Sequence, residues 1–113
     1  DAQRAAAERD AARRITRVLH RREGDAMPDV GEGDMGLFCL SRRAFVEELP
    51  RYAANAERGA ATGERNFLPF IARAEHLGGV VTYPCVDPEE SIGVNTPEEV
   101  VLLERYLQAR TRS

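Results

Sequence analysis

The sequence predicts an α/β domain, and three stretches carry that prediction. Met35-Gly36-Leu37-Phe38-Cys39-Leu40 is a continuous apolar run of strand length, followed by Ser41 as N-cap and an amphipathic helix bearing Phe45, Val46 and Leu49. A strand running into a helix is half of a βαβ unit. Val80-Val81-Thr82-Tyr83-Pro84-Cys85-Val86 is a second such run, with Pro84 toward its end or edge. Ile92-Gly93-Val94 reads as a short buried extended piece that turns at Asn95 into a helix. Thr96 is its N-cap, Pro97 suits the first helical position where no N–H is needed, and Glu99 completes a capping box. Open α/β sheets place ligand-binding residues at such corners. Asn95 therefore has two readings: a turn residue before a capped helix, or a side chain facing a cleft.

Composition sets the outer limits. A chain of 113 residues is one domain or part of one, and its 42% apolar content with regular Gly and Pro punctuation indicates a globular segment. A net charge of -3 argues against nucleic acid or an anionic membrane as the main partner. No apolar stretch approaches the ~18 residues of a membrane span, and no signal peptide is read, so the expectation is a soluble, cytoplasmic protein. Cys39 and Cys85 fall inside apolar runs and are expected to be reduced core thiols. All 16 basic residues are arginine. This excludes a Schiff-base lysine and a complete P-loop.

Taken in order, Ala2 to Arg14 is rich in Ala, Arg and Glu without Gly or Pro and is expected to be helical. Ile15-Thr16-Arg17-Val18-Leu19-His20 fits either helix or strand, and its β-branched content favours a strand. Glu23 to Asp34 reads as a loop whose acids lack calcium-loop spacing. Pro50 is expected to end or kink the helix after Ser41, with a flexible connection over Asn55 to Gly63. Asn66 is the expected cap of a helix over Phe67 to Leu77, stopped by Gly78-Gly79. The last helix, after Thr96, offers Val100, Val101, Leu103, Tyr106 and Leu107 as its apolar side.

Several of these pieces, in this order, resemble the C-terminal half of a sugar-1-phosphate nucleotidyltransferase domain. They are the segment with His20, Gly33-Asp34-Met35-Gly36-Leu37-Phe38-Cys39, Glu48-Leu49-Pro50, Gly63-Glu64-Arg65-Asn66-Phe67-Leu68 and Asp87 through Thr96. The nearest resemblance is to the uridyltransferase domain of bifunctional N-acetylglucosamine-1-phosphate uridyltransferases. It covers about residues 14 to 108, and the Gly93-Val94-Asn95 corner is its most specific piece. It implies a partial, three-layer Rossmann-like fold over residues 14–113, with residues 1–13 as a helical extension outside it.

The resemblance further implies a magnesium ion held by Asn95 together with an aspartate from the preceding half of the domain. A neutral amide oxygen, one carboxylate, phosphate oxygens and waters together suit Mg²⁺. It implies a nucleoside triphosphate and a sugar 1-phosphate as substrates, with pyrophosphate released. In the sugar pocket a glutamate and an asparagine of the family align with His20 and Asp34, while a glycine is kept as Gly36. A carboxylate in place of an amide loses two donors and gains a charge, so the sugar read here is expected to differ. An aspartate of the Gly-Glu-aromatic segment is replaced at Pro69, though Gly63 and Glu64 remain. His76, near a helix end, is read as structural. The family's glycine-rich nucleotide loop and the aspartate partner of the metal have no match. The expectation is a fragment, inactive alone, that pairs with a missing N-terminal half or with itself. Two other classes stay open: a non-catalytic regulatory or oligomerisation module, and an enzyme resembling molybdenum-cofactor cytidylyltransferases.

Overall fold

Asp10 closes the hairpin with which the fold begins. Its backbone N–H donates to Arg14 O at 3.0 Å, its carbonyl accepts from Arg13 N at 3.0 Å, and its carboxylate takes the Arg14 N–H at 2.9 Å. The chain therefore turns back on itself, and Ala5–Arg9 (β1) pairs antiparallel with Ile15–His20 (β2), Ala6 opposite Leu19 and Glu8 opposite Arg17. This corrects the expected helix over residues 2–14 and the helical extension over 1–13. Alanine's helix preference is worth only tenths of a kcal/mol, roughly, per residue and yields to strand pairing. The structure, a computed structural model, describes residues 4–112, so residues 1–3 of that expected extension lie outside the described residues. Two compact units divide between Val81 and Thr82.

The first unit is built on this hairpin. Ala5, Ala6, Ile15 and Leu19 are buried, and with Phe70 they make up its apolar core. Helix α2 (Pro69–Leu77) packs on β2, and Glu75 from it accepts the Ile15 N–H at 3.1 Å. On the outer side of β1, Ala7 N–H donates to Glu32 O at 2.9 Å. The Arg9 guanidinium then grips the Glu32 carboxylate, Nη2 to Oε2 at 2.8 Å. This pairing raises the Arg9 pKa and lowers that of Glu32.

Ser41 caps the next helix as expected, its Oγ accepting the Ala44 N–H at 3.1 Å. Pro50 does not end that helix. Ala44–Glu48 widens into a π-helical turn in which Leu49 N–H reaches back to Ala44 O, and the helix continues as α1 (Leu49–Asn55). Proline has no N–H to give and its ring crowds the carbonyl four residues back, so a wider turn just before Pro50 lets the helix pass through it. Glu48, buried, lies 3.8 Å from Arg43 and 3.5 Å from Arg51. From α1 Tyr52 leans on Phe70, their rings tilted by 51° with centroids 5.5 Å apart, and donates its hydroxyl to Asn66 O at 2.7 Å. Phe67 joins them at 5.9 Å from Phe70, and Phe38 meets Phe67 edge-on at 5.0 Å. Asn66 is thus not the cap of α2, which starts at Pro69 without a side-chain cap. The expected stop holds: Gly78 and Gly79 both donate to Ala74 O, and Gly79 takes a φ of 89° that a side chain would resist.

The apolar runs 35–40 and 80–86 are not strands; the sheet has two strands, β1 and β2. Leu37 is 88% exposed and Tyr83 87% exposed. An apolar run signals a wish for burial, but a strand forms only where a neighbour accepts its backbone bonds. Cys39 is likewise exposed and Cys85 half-buried, both as free thiols, so neither is the core thiol expected.

The second unit folds around α3 (Pro97–Thr111). Thr96 caps it, accepting the Glu99 N–H at 3.2 Å, while Glu99 reaches back to the Asn95 N–H at 2.6 Å, one residue earlier than a regular capping box. Asp87 caps the short 3-10 turn Pro88–Ser91 and accepts the Tyr106 hydroxyl at 3.1 Å, and Glu90 pairs with Arg110 at 3.2 Å. The turn is thereby fastened to the helix. No described residue of α3 is buried: of its expected apolar side Val100, Val101 and Leu107 are exposed, and Leu103 and Tyr106 are half-buried.

Candidate functional site

Arg21–Glu23 forms a single 3-10 turn directly after β2, ended by Gly24. It delivers Glu23 to the loop that precedes α2. The Glu23 carboxylate accepts Ala61 N–H at 3.1 Å and the Thr62 hydroxyl, and Thr62 Oγ1 in turn accepts Glu64 N–H at 3.1 Å. Gly59 makes room for this carboxylate; a Cβ there would overlap it. Arg22 adds an ion pair to Glu64 at 3.1 Å. The stretch expected as a loose connection is therefore tied to the end of β2.

The Thr62 hydroxyl, helped by the N–H groups of Ala61 and Thr62 and by the Asn66 side chain, holds the Glu23 pKa below its ordinary value against a smaller opposing effect of burial. The sign follows from the depressed folded value. These bonds stabilise fully above the unfolded glutamate value of ~4.3 and are lost as the pH falls through the lower folded value. Glu23→Gln should thus lower Tm at neutral pH and flatten part of its decline in acid. A Tm-against-pH series on the two proteins checks this, and parallel curves would remove Glu23 from the account.

Behind the tie lies a cavity of about 280 Å³, walled by Arg4, His20, Arg22, Glu23, Asp34, Glu64, Asn66 and Phe67. Its walls come from the ends of β1 and β2, the loop before residue 35 and the approach to α2. Two of the residues singled out in the sequence, His20 and Asp34, share it. Gly36, the third, is not in the wall; its N–H donates to Asp34 Oδ2 at 2.9 Å, and with a φ of 74° it forms the turn that holds Asp34. His20 is half-buried, its own N–H held by Asp25 at 2.8 Å, and its Nε2 is enclosed without a hydrogen-bond partner among the described residues. The wall positions Arg4, Arg22 and Glu23 were not singled out. Only Gly63-Glu64 and the following Asn66-Phe67, as part of a matched segment, gave a sequence signal for that side.

Asn95 belongs to the second unit. It is exposed at the N-terminus of α3, beside a shallow apolar hollow shared with Val94, Thr96, Pro97 and Val100. Its backbone N–H is bound by Glu99, so that carboxylate is engaged in capping. Magnesium asks for several oxygens in an octahedron. Asn95 offers a single neutral amide oxygen at this exposed position. Among the described residues no cluster of three or more His, Cys, Asp or Glu side chains is placed to hold a metal. His76 is exposed in the last turn of α2. No helix of the described residues is long and apolar enough to cross a membrane.

The chain is similar to the bifunctional protein GlmU of Brevibacillus brevis, at 27% identity over 104 residues, covering 90% of this chain and 22% of that protein. It thus spans about a fifth of the length of the curated relative it matches. No family model matches the chain. No solved structure matches it either.

Proposed function

We propose that this chain supplies the sugar-binding part of a nucleotidyltransferase of Rossmann-like, α/β origin, one that joins a nucleoside triphosphate to a sugar 1-phosphate with release of pyrophosphate. The observation that carries the reading is the shared cavity of His20 and Asp34, 14 positions apart, beside Glu64 and Asn66. The likeness to the bifunctional protein GlmU supports the same origin. At about 280 Å³ the cavity is near the lower end of small-molecule pockets, which begin at ~300 Å³, and suits one sugar ring. Phe67 offers an apolar face to the ring carbons, while Asp34, Glu64 and Asn66 offer hydrogen bonds to its hydroxyls. In the second unit Asn95 would give one oxygen to magnesium, which when bound neutralises phosphate charge. The nucleotide-binding residues are proposed to lie outside this chain, so by itself it should release no pyrophosphate from a mixture of triphosphate and sugar phosphate.

Titration of isotope-labelled protein with N-acetylglucosamine 1-phosphate tests the reading. Saturable NMR shifts should gather at His20, Asp34, Asn66 and Phe67 and stay absent with inorganic phosphate alone. Shifts scattered over the surface, or none at millimolar ligand, would refute it. In parallel, the Asn95 side-chain amide should move with magnesium only when pyrophosphate is also present.

A second reading, a non-catalytic interaction module of the same origin, is favoured by the open apolar side chains. Val30 and Leu37 in the first unit and Val86 in the second are 90%, 88% and 98% exposed. Sedimentation over a wide concentration range distinguishes it: self-association that survives substitution of Asp34 would favour the module.

A further inference from the structure

We infer that Thr62, which stands outside the cavity wall, is a positioning residue for that wall: its hydroxyl, anchored on Glu23, fixes where Glu64 and Asn66 stand. This deepens, and rests on, the sugar-binding reading above. Residues 56–68, which carry Glu64 and Asn66, contain neither helix nor strand, so no regular ladder of backbone bonds holds them in place. A loop closed around one carboxylate does so instead. Gly59 N–H donates to Glu64 O at 2.8 Å and Gly63 N–H donates to Gly59 O at 2.9 Å, with Gly63 at a φ of 71° where the chain reverses. Glu23 enters this loop through the space that Gly59 leaves by having no Cβ.

Thr62 is the link between that carboxylate and the wall. Its Oγ1 accepts the Glu64 N–H at 3.1 Å, so its single proton is left to donate to Glu23 Oε1. Two bonds thus run in series from the end of β2 to a wall residue. The other carboxylate oxygen, Oε2, is occupied by Ala61 N–H at 3.1 Å. Glu64 is gripped a second time, because Arg22 holds its side chain at 3.1 Å. A threonine hydroxyl that accepts an N–H two residues on is an ordinary local turn. Here its other bond belongs to the opposite side of the cavity, 39 positions away, and so sets the spacing between the two sides. A wall ordered before the ligand arrives loses less binding energy to ordering.

The test measures affinity for N-acetylglucosamine 1-phosphate by NMR titration, together with the urea midpoint, in the whole parent chain, Thr62→Val and Thr62→Ser. Valine keeps the branched shape and removes the hydroxyl; serine keeps the hydroxyl. Affinity should fall about tenfold in Thr62→Val, the scale of one hydrogen bond, and stay within about twofold of the parent in Thr62→Ser. A tie that only stabilises the fold would lower the urea midpoint of Thr62→Val and leave its affinity unchanged, which would overturn the inference while leaving sugar binding intact. A further measurement needs no variant. The Ala61 amide, bonded to Glu23 but outside the wall, should exchange more slowly as ligand saturates the parent, because loop order and ligand binding are then linked reciprocally. Exchange at Ala61 that ignores bound ligand would overturn the inference as well. No saturable binding by the parent would overturn the sugar-binding reading and this inference with it.

Discussion

Phe70→Ala should cost the first unit about 3–5 kcal/mol, the usual range for emptying a buried phenylalanine site. Phe70 is 3% exposed and is the one large aromatic side chain among the buried core residues. It stands where α1 and α2 meet, with the Tyr52 ring at 5.5 Å and the Phe67 ring at 5.9 Å. Truncation leaves a hole between rings whose edges cannot all move in, because Tyr52 is also tethered through its hydroxyl to Asn66. Whole domains are stable by only about 5–15 kcal/mol, so this one change should remove a large share of the unit's stability. Urea unfolding followed by circular dichroism reads the effect. A loss of under about 1 kcal/mol would mean that the site collapses freely and that the aromatic group is not the core.

Ile15→Ala should cost about 2–4 kcal/mol for a different reason. Ile15 is 3% exposed at the start of β2, and its backbone N–H is the point at which Glu75 of α2 is fixed. Removing the side chain takes away apolar contact under α2 and opens that bond to water. Amide exchange should therefore quicken at Ile15 and along Pro69–Leu77 before it changes at Asp10 and Arg14 in the hairpin turn. Val30→Ala is the control. With Val30 90% exposed, it should change stability by less than about 0.5 kcal/mol. Equal effects at the two positions would contradict the burial pattern.

Local chemistry was legible where it settles its own bonds. The Thr96-Pro97 start of α3, the Ser41 cap and the Gly78-Gly79 stop are all met by short-range hydrogen bonds, and the β-branched Ile15–His20 is a strand. What could not be read needed a partner from elsewhere in the chain. Ala5–Arg9 looks helical by composition and becomes a strand because Asp10 turns it onto β2 and Glu32 closes its other side. Conversely, 35–40 and 80–86 have strand composition and no neighbour to pair with. The candidate site divides the same way. His20 and Asp34 could be singled out only through the family resemblance. The tie of Glu23 to Thr62 spans 39 positions, and no local pattern announces it.

The widened turn before Pro50 has a consequence for how this helix faces its surroundings. Each residue advances an α-helix by about 100°, so a turn that spends one extra residue throws the faces on either side of it out of phase by that angle. Phe45 and Val46, within it, are 63% and 53% exposed, while Tyr52, beyond it, is aimed at Phe70. Proline at position 50 thus works as an angular offset: the same side chains on an uninterrupted spiral would swing the phenol away from the ring it now leans on.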